Sequence, residues 1–163
     1  MVKKKITAIV LAAGKGSRMN APVAKQFLLL RDKPVLYYSL KAFEESNVDE
    51  IILVTSSDQK EYCWDNIIKP YHISKVTQIV EGGKERYDSV YQALLQIQHA
   101  NYVLIHDGAR PFITKDLIND MIIQVIQHMA CILATPVKET IKIVDSNGFI
   151  TSTPDRNTLW AAQ

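Results

Sequence analysis

Apolar and polar positions along the chain switch between two periods. Residues 6–11 form an uninterrupted run rich in β-branched residues, the pattern of a strand buried on both faces. Leu36, Leu40 and Phe43 then recur at helical spacing behind Pro34, a residue suited to the first turn of a helix. Residues 50–55 read as a second buried strand, and Asp58 is placed to cap a helix running towards Ile68 that Pro70 stops. Residues 76–80 form a shorter strand, ended by Gly82 and Gly83. Val90, Ala93, Leu94 and Ile97 mark one face of the next helix. Residues 102–106 are a further strand. Thr114 is the predicted N-cap of a long amphipathic helix through Leu117, Met121, Ile122, Val125 and Met129, and residues 131–135 are the predicted last core strand.

Strands separated by helices imply parallel pairing through right-handed crossovers, hence an α/β fold with a doubly wound, mostly parallel, Rossmann-like sheet. Ligands of such sheets lie beyond the carboxyl ends of the strands. Residues 14–25, 82–89 and 107–110 are therefore predicted to face one crevice. After residue 135 the pattern changes. Residues 138–144 alternate polar and apolar, residues 145–148 carry a turn signal, and residues 149–153 can return as a second strand. A β-hairpin arm over 137–156 follows. Two strands alone are marginally stable, so the arm is expected to pack on something, a second copy of the chain being the obvious candidate.

Composition narrows the class. A chain of 163 residues is long enough for one domain with its own core. Its 47% apolar and 22% charged residues are those of an ordinary globular protein. A formal net charge of +2 is too small to argue for a nucleic-acid or membrane partner. Cys63 and Cys131 stand in no metal-like spacing, which suggests a reduced intracellular protein with two structural thiols. Lys3, Lys4 and Lys5 precede an apolar run, but GKGSRM follows it instead of a small-residue cleavage site. No stretch approaches the roughly 18 apolar residues of a membrane span. A cytoplasmic protein is expected.

The first strand runs into Gly14-Lys15-Gly16-Ser17-Arg18, with Lys25 further on. This is neither a dinucleotide fingerprint, because Met19 stands where the third glycine belongs, nor a Walker loop. It is a Gly-rich turn with separated cations. Such a turn can bind phosphates, and phosphoryl or nucleotidyl transfer needs mainly cations where charge accumulates. An ordinary strand-to-helix turn with solvated cations is an equal reading of this loop alone. Gly82-Gly83 through Arg86 to Ser89 reads as a turn into a helix whose backbone can meet a flat base, although by itself the segment is better read as a helix-entry turn with solvated charges. Asp107-Gly108-Ala109-Arg110-Pro111 pairs an acid at a strand's carboxyl end with an arginine three residues on. That spacing suits a metal or hydroxyl ligand beside a phosphate clamp, and equally a local ion pair. His106 reads as a packed strand-end residue.

AAGKGSRM, AKQF, EGGKERYDSV, HDGARPF, PVKETIK and PDRNTLWAAQ, in this order and spacing, resemble the 2-C-methyl-D-erythritol 4-phosphate cytidylyltransferases of the non-mevalonate isoprenoid pathway. The resemblance spans residues 6–163 and implies a single nucleotidyltransferase domain that works as a homodimer with Mg²⁺. It also implies that methylerythritol phosphate attacks the α-phosphorus of CTP and releases pyrophosphate. Arg18 and Lys25 would be catalytic, stabilising the transition state and the leaving group. The backbone of Ala12, Ala13, Gly14 and Gly16 would hold ribose and phosphates, Gly83 and Ser89 would read cytosine, and Arg86 would brace that pocket. Asp107 and Arg110 would line the substrate region, with Asp107 a candidate Mg²⁺ ligand. Thr140 and Arg156 would reach from the arm into the neighbouring subunit to grip methylerythritol phosphate.

Two departures from the family pattern stand out. Ala24 occupies the place of the proline that usually precedes the catalytic lysine, which implies a looser loop. Family members also continue beyond WAAQ into a TPQ-type segment, further helices and a second lysine facing CTP, so a 163-residue form is expected to bind CTP weakly and turn over poorly. The alternatives are a ribitol-5-phosphate cytidylyltransferase, which shares the loop and the Asp-x-x-Arg-Pro segment, and a non-catalytic nucleotide-binding remnant.

Overall fold

A computed structural model of the protein describes residues 4–14 and 23–162. In chain order it contains β1 (Ile6–Leu11), a short ribbon of β2 (Leu29–Leu30) and β3 (Lys33–Pro34), α1 (Val35–Glu45), β4 (Glu50–Thr55), α2 (Lys60–Cys63) and β5 (Val76–Glu81). α3 (Arg86–Leu94), β6 (Tyr102–Asp107), α4 (Lys115–His128), β7 (Ala134–Pro136), β8 (Ile143–Val144), β9 (Ile150–Ser152) and β10 (Trp160–Ala162) follow.

β5, β4, β1 and β6 form a parallel sheet in that spatial order. The chain therefore winds outwards in one direction from β1 through β4 to β5, then returns to place β6 on β1's other side. That reversal is the topological switch point at which ligands of such sheets bind. The register sets Leu11 opposite both Val54 and Asp107, so the carboxyl ends of the three central strands are level.

The β-branched runs form strands because both faces are covered. Ile6, Ala8 and Val10 point into one core with Leu36, Leu40 and Phe43 of α1 and Ile118 and Ile122 of α4. Ile9 faces the other way, packing with Ile52, Val54 and Ala93 of α3. Each fully buried side chain of this kind contributes about 1.5–3 kcal/mol relative to exposure. The one polar residue within β1, Thr7, is fully buried, and its hydroxyl donates to Glu50 Oε1 at 2.7 Å.

Several local signals act as read. Thr114 caps α4, its Oγ1 accepting from Leu117 N at 3.2 Å. Pro34 immediately precedes α1. In the predicted turn Asp145 Oδ1 accepts from the N–H groups of Asn147 and Phe149, and Gly148 takes φ 85°, which suits glycine.

Others differ. Asp58 does not cap a helix: it lies inside the 3-10 turn Ser57–Gln59, and the chain passes through α2 into a wide π turn, Trp64–Ile68. α3 ends at Leu94, so Ile97 packs on the core from the following loop, and Leu94 is exposed. Met129 is not part of α4's apolar face. It closes the helix in a left-handed conformation with φ 68° and accepts a hydrogen bond from Tyr102 Oη on its sulfur.

Residues 131–135 do not enter the core sheet. Among the described residues β7 pairs only with β10, and Cys131, Ile132 and Leu133 instead line a groove of ≈ 950 Å³ together with Val103, Leu104 and Ile105 of β6. The hairpin ladder is shorter than the alternation suggested, joining β8 to β9 with a register shift. Of the two thiols, Cys63 is buried, with burial pushing it up to about 11 against a weak opposing contact from Thr55, whereas Cys131 is exposed. No helix among the described residues is long and apolar enough to cross a membrane.

Candidate active site

Three loops leave the level carboxyl ends of the sheet. Each continues the ladder by one bond before turning: Ala12 N donates to Val54 O at 2.6 Å, Gly82 N to Thr55 O at 2.8 Å, and Gly108 N to Leu11 O at 2.8 Å. The glycines allow the loops to touch. A Cβ on Gly82 would stand 2.5 Å from Ala13 Cβ and 2.9 Å from Ser89 Oγ, and one on Gly108 would stand 2.8 Å from Leu36 Cδ1. One on Gly83 would overlap Asp88. Ala13 thus lies directly beside the turn into α3.

The start of α3 is held by reciprocal caps. Glu85 and Asp88 form a capping box, in which Glu85 N donates to Asp88 Oδ2 at 3.0 Å. Ser89 is buried and its hydroxyl is occupied with the backbone, accepting from Gly83 N at 3.1 Å and donating to Glu85 O at 3.2 Å. A hydroxyl has a second lone pair, so this anchor leaves one acceptor direction for a ligand.

From that helix start Arg86 reaches across to β6. Its Nε and NH2 donate to Asp107 Oδ1 at 3.1 and 3.0 Å, and Arg110 NH2 meets Asp107 Oδ2 at 3.1 Å. Asp107 therefore joins two guanidinium groups, one on each carboxylate oxygen. The members are partly or largely exposed, so the cluster contributes little to stability, about 0–1 kcal/mol per pair. Its consequence is electrostatic: two cations are assembled beside the crevice with a single compensating acid. Lys25, Arg86 and Arg110 all border the ≈ 950 Å³ groove.

Lys25 is the exposed residue of a 3-10 turn, Lys25–Phe27, whose other two residues are buried. Gln26 Nε2 donates to Ala12 O at 2.6 Å and to Gly14 O at 3.0 Å, and Phe27 packs edge-on against Tyr62 with centroids 5.1 Å apart. The turn after Asp107 has its own supports. Buried Ser39 Oγ lies 3.2 Å from Gly108 O and 3.1 Å from Arg110 O, and His106 Nε2 lies 3.2 Å from Arg110 O.

Of the sequence-derived residues, the fold brings together Ala12, Ala13, Gly14, Lys25, Gly83, Arg86, Ser89, Asp107 and Arg110. Gly16 and Arg18 lie outside the described residues. Thr140 is exposed on the segment leading to β8, and Arg156 borders a separate hollow of ≈ 530 Å³ with Lys138, Asn157 and Trp160. Within one chain neither belongs to the crevice around Lys25. Sequence reasoning missed Gln26 and Ser39. Neither amide nor hydroxyl announces a backbone partner in a sequence, and the only signal for Gln26 was its adjacency to Lys25.

His106 carries a pH expectation. Burial lowers its pKa below the ordinary 6.5, with the Arg110 carbonyl and Asp107 partly opposing the shift. A depressed histidine favours folding while neutral, so its contribution is present above pH ~6.5 and is lost as pH falls through the lower folded-state value. Thermal denaturation between pH 7.5 and 5 should show falling stability in that window, and His106→Gln should flatten the slope. An unchanged slope would remove His106 as its source.

The description of 2-C-methyl-D-erythritol 4-phosphate cytidylyltransferase matches residues 6–163. The protein of that name from Lachnoclostridium phytofermentans is 54% identical over 160 residues, covering 98% of this chain and 69% of the relative. That from Lachnospira eligens is also 54% identical, over 158 residues, covering 96% and 69% respectively. The crystal structure of 4-diphosphocytidyl-2C-methyl-D-erythritol synthase from Anaerococcus prevotii superposes with a TM-score of 0.84 at 31% identity, covering 98% of this chain and 67% of that one. The order of the parallel strands, the crevice at their carboxyl ends and these matches agree: the chain belongs to the 2-C-methyl-D-erythritol 4-phosphate cytidylyltransferase family.

Proposed function

We propose that the protein transfers the cytidylyl group of CTP to 2-C-methyl-D-erythritol 4-phosphate. A phosphate oxygen of the methylerythritol phosphate attacks the α-phosphorus of CTP. A new phosphorus–oxygen bond forms as the bond from the α-phosphorus to the bridging oxygen breaks, and pyrophosphate leaves with that electron pair. The single observation that carries this reading is the placement of Lys25, Arg86 and Arg110 along one groove, with Asp107 joining the two guanidinium groups. Such a reaction asks little covalent help from protein and much cationic stabilisation where charge accumulates.

In this reading Lys25, with Arg18, stabilises the transition state and the departing pyrophosphate. The backbone of Ala12, Ala13, Gly14 and Gly16 cradles ribose and phosphates. The edge of cytosine meets Gly83 and the remaining lone pair of Ser89, and Arg86 braces this pocket through Asp107. Arg110 and Asp107 receive the methylerythritol phosphate.

Mg²⁺ fits the donor set in one way. Among the described residues no group of three or more His, Cys, Asp or Glu could cage a metal ion. Magnesium at nucleotide sites is held by substrate phosphates with one or two carboxylates, and Asp107 is the carboxylate at the crevice, one of whose oxygens a guanidinium would have to release. When bound, the ion would neutralise charge on the phosphates.

We further assign the arm, residues 137–156, to dimer formation. Ile143, Val144, Phe149 and Ile150 expose a run of apolar surface on β8, β9 and the turn between them. A partner covering it would explain that exposure, and would carry Thr140 and Arg156 towards the neighbouring crevice. Sedimentation should give a dimer for the wild type and a shift towards monomer for Phe149→Ser with Ile150→Ser; a wild-type monomer at micromolar concentration would sink the assignment. A cytoplasmic setting follows from soluble, phosphorylated substrates. Specificity is tested by replacing methylerythritol phosphate with ribitol 5-phosphate: pyrophosphate release at least ten times slower is expected, and faster release would make the protein a ribitol-phosphate enzyme.

A further inference from the structure

The phosphate-loop start carries an anchor that none of the roles above uses. Gln26 is 94% buried (6% exposed), and among the described residues its amide nitrogen donates to main chain and not to side chains. Both of its N–H bonds go to main-chain carbonyls, Ala12 O at 2.6 Å and Gly14 O at 3.0 Å. Those carbonyls belong to the first turn after β1, and Gln26 itself follows Lys25. One side chain therefore ties the lysine's turn to the loop it serves, across 12 to 14 residues of sequence.

The chemistry of that tie is directional. A carbonyl oxygen carries partial negative charge and would repel a triphosphate if it faced one. Fixing Ala12 O on Gln26 turns it away from the crevice's contents. In a trans peptide the following N–H points opposite to the carbonyl, so Ala13 N–H is aimed to the side away from Gln26. A glutamine is suited to this because its NH2 supplies two donors from one atom and can satisfy two carbonyls at once. Glutamate at the same place would set its own negative oxygens against both.

We propose that Gln26 is the positioning residue of the phosphate loop: it orients the Ala12–Gly14 backbone to present N–H groups to the nucleotide and holds that backbone in register with Lys25. The proposal rests on the cytidylyl-transfer reading and deepens it. Gln26 does not touch the reacting atoms. Its loss should appear as weakened nucleotide binding and a misplaced lysine, leaving the methylerythritol phosphate site intact.

The test is steady-state kinetics on Gln26→Met, which keeps length and volume but has no donor, and on Gln26→Glu. Misplacement of a site by about 1 Å costs on the order of 10²-fold. Gln26→Met should raise KM for CTP about 10- to 100-fold while KM for methylerythritol phosphate stays within about twofold. Gln26→Glu should be worse than Gln26→Met at pH 8 and approach it towards pH 6, as a buried carboxyl gains a proton and with it one donor. An unchanged KM for CTP in a folded Gln26→Met, or equal rises in both KM values with a matching loss of thermal stability, overturns the proposal. If neither variant folds, the wild type decides. Its Gln26 side-chain N–H resonances should shift on titration with CTP and not with methylerythritol phosphate; resonances indifferent to saturating CTP overturn it equally. A wild type that releases no pyrophosphate defeats the cytidylyl-transfer reading instead, which keeps the two failures distinct.

Discussion

Lys25→Ala should slow pyrophosphate release about 10²–10³-fold, the cost of removing one preorganised donor from developing negative charge. The structure makes the substitution clean. Lys25 is exposed, while the turn that carries it is fixed by Gln26 on the Ala12–Gly14 backbone and by Phe27 against Tyr62. Truncating the side chain therefore removes a cation without removing its support, and thermal stability should barely change. A donor that acts only as the α-phosphorus is attacked lowers kcat and kcat/KM together, whereas one that merely attracts CTP raises KM with kcat intact. The first pattern is expected. Lys25→Arg should restore only part of the rate, because a planar guanidinium does not reproduce a compact ammonium. Arg18→Ala is expected to match Lys25→Ala in magnitude. Stopped-flow or coupled pyrophosphate assays at saturating substrates decide the matter, and a rate within threefold of wild type would take Lys25 out of the chemistry.

Asp107→Asn should lower kcat/KM for methylerythritol phosphate about 10- to 100-fold, the range for losing a hydrogen bond to a charged group. Asparagine preserves shape but leaves Arg86 and Arg110 without the charge that joins them. Each guanidinium is then free to seek phosphate elsewhere, so the base pocket and the substrate region lose their common anchor. Because all three side chains are partly or largely exposed, the stability change should stay within about 1 kcal/mol. Kinetics that fall while the thermal midpoint holds would support the assignment. A midpoint that falls while kinetics hold would recast the cluster as structural.

How far the fold could be read from sequence depended on what each signal encodes. β1 and β4 were legible because strands buried on both faces must be continuously apolar, and their observed bounds, Ile6–Leu11 and Glu50–Thr55, coincide with those runs. The same rule misplaced residues 131–135. An apolar run says that water is excluded, not which backbone pairs with it, and here Cys131 to Leu133 line a groove beside β6 instead of extending its sheet. Periodicity overran α3 for a related reason: Ile97 does pack against the core, but a loop delivers it there.

The site was legible at the level of loops and only partly at the level of contacts. The Gly-plus-charge clusters pointed to the three carboxyl-end turns, because parallel strands must end on one side. The Asp107–Arg110 pair was foreseeable from its spacing of three residues, but Arg86 as the second partner was not, since nothing in a sequence measures the gap between α3 and β6. The glycines at Gly82 and Gly83 were read as making room for a base; contacts with Ala13, Ser89 and Asp88 give them a packing reason as well. Gln26 had no sequence signal of its own, because an amide that serves two carbonyls looks like any other polar residue.

The central claim is cytidylyl transfer, and its most direct test is pyrophosphate release measured with CTP and methylerythritol phosphate together and separately, with the products resolved by ³¹P spectroscopy. Release that requires both substrates, with a diphosphodiester formed in equal amount to pyrophosphate, is the predicted result. No release above background, or release from CTP alone with free CMP as the product, would contradict it.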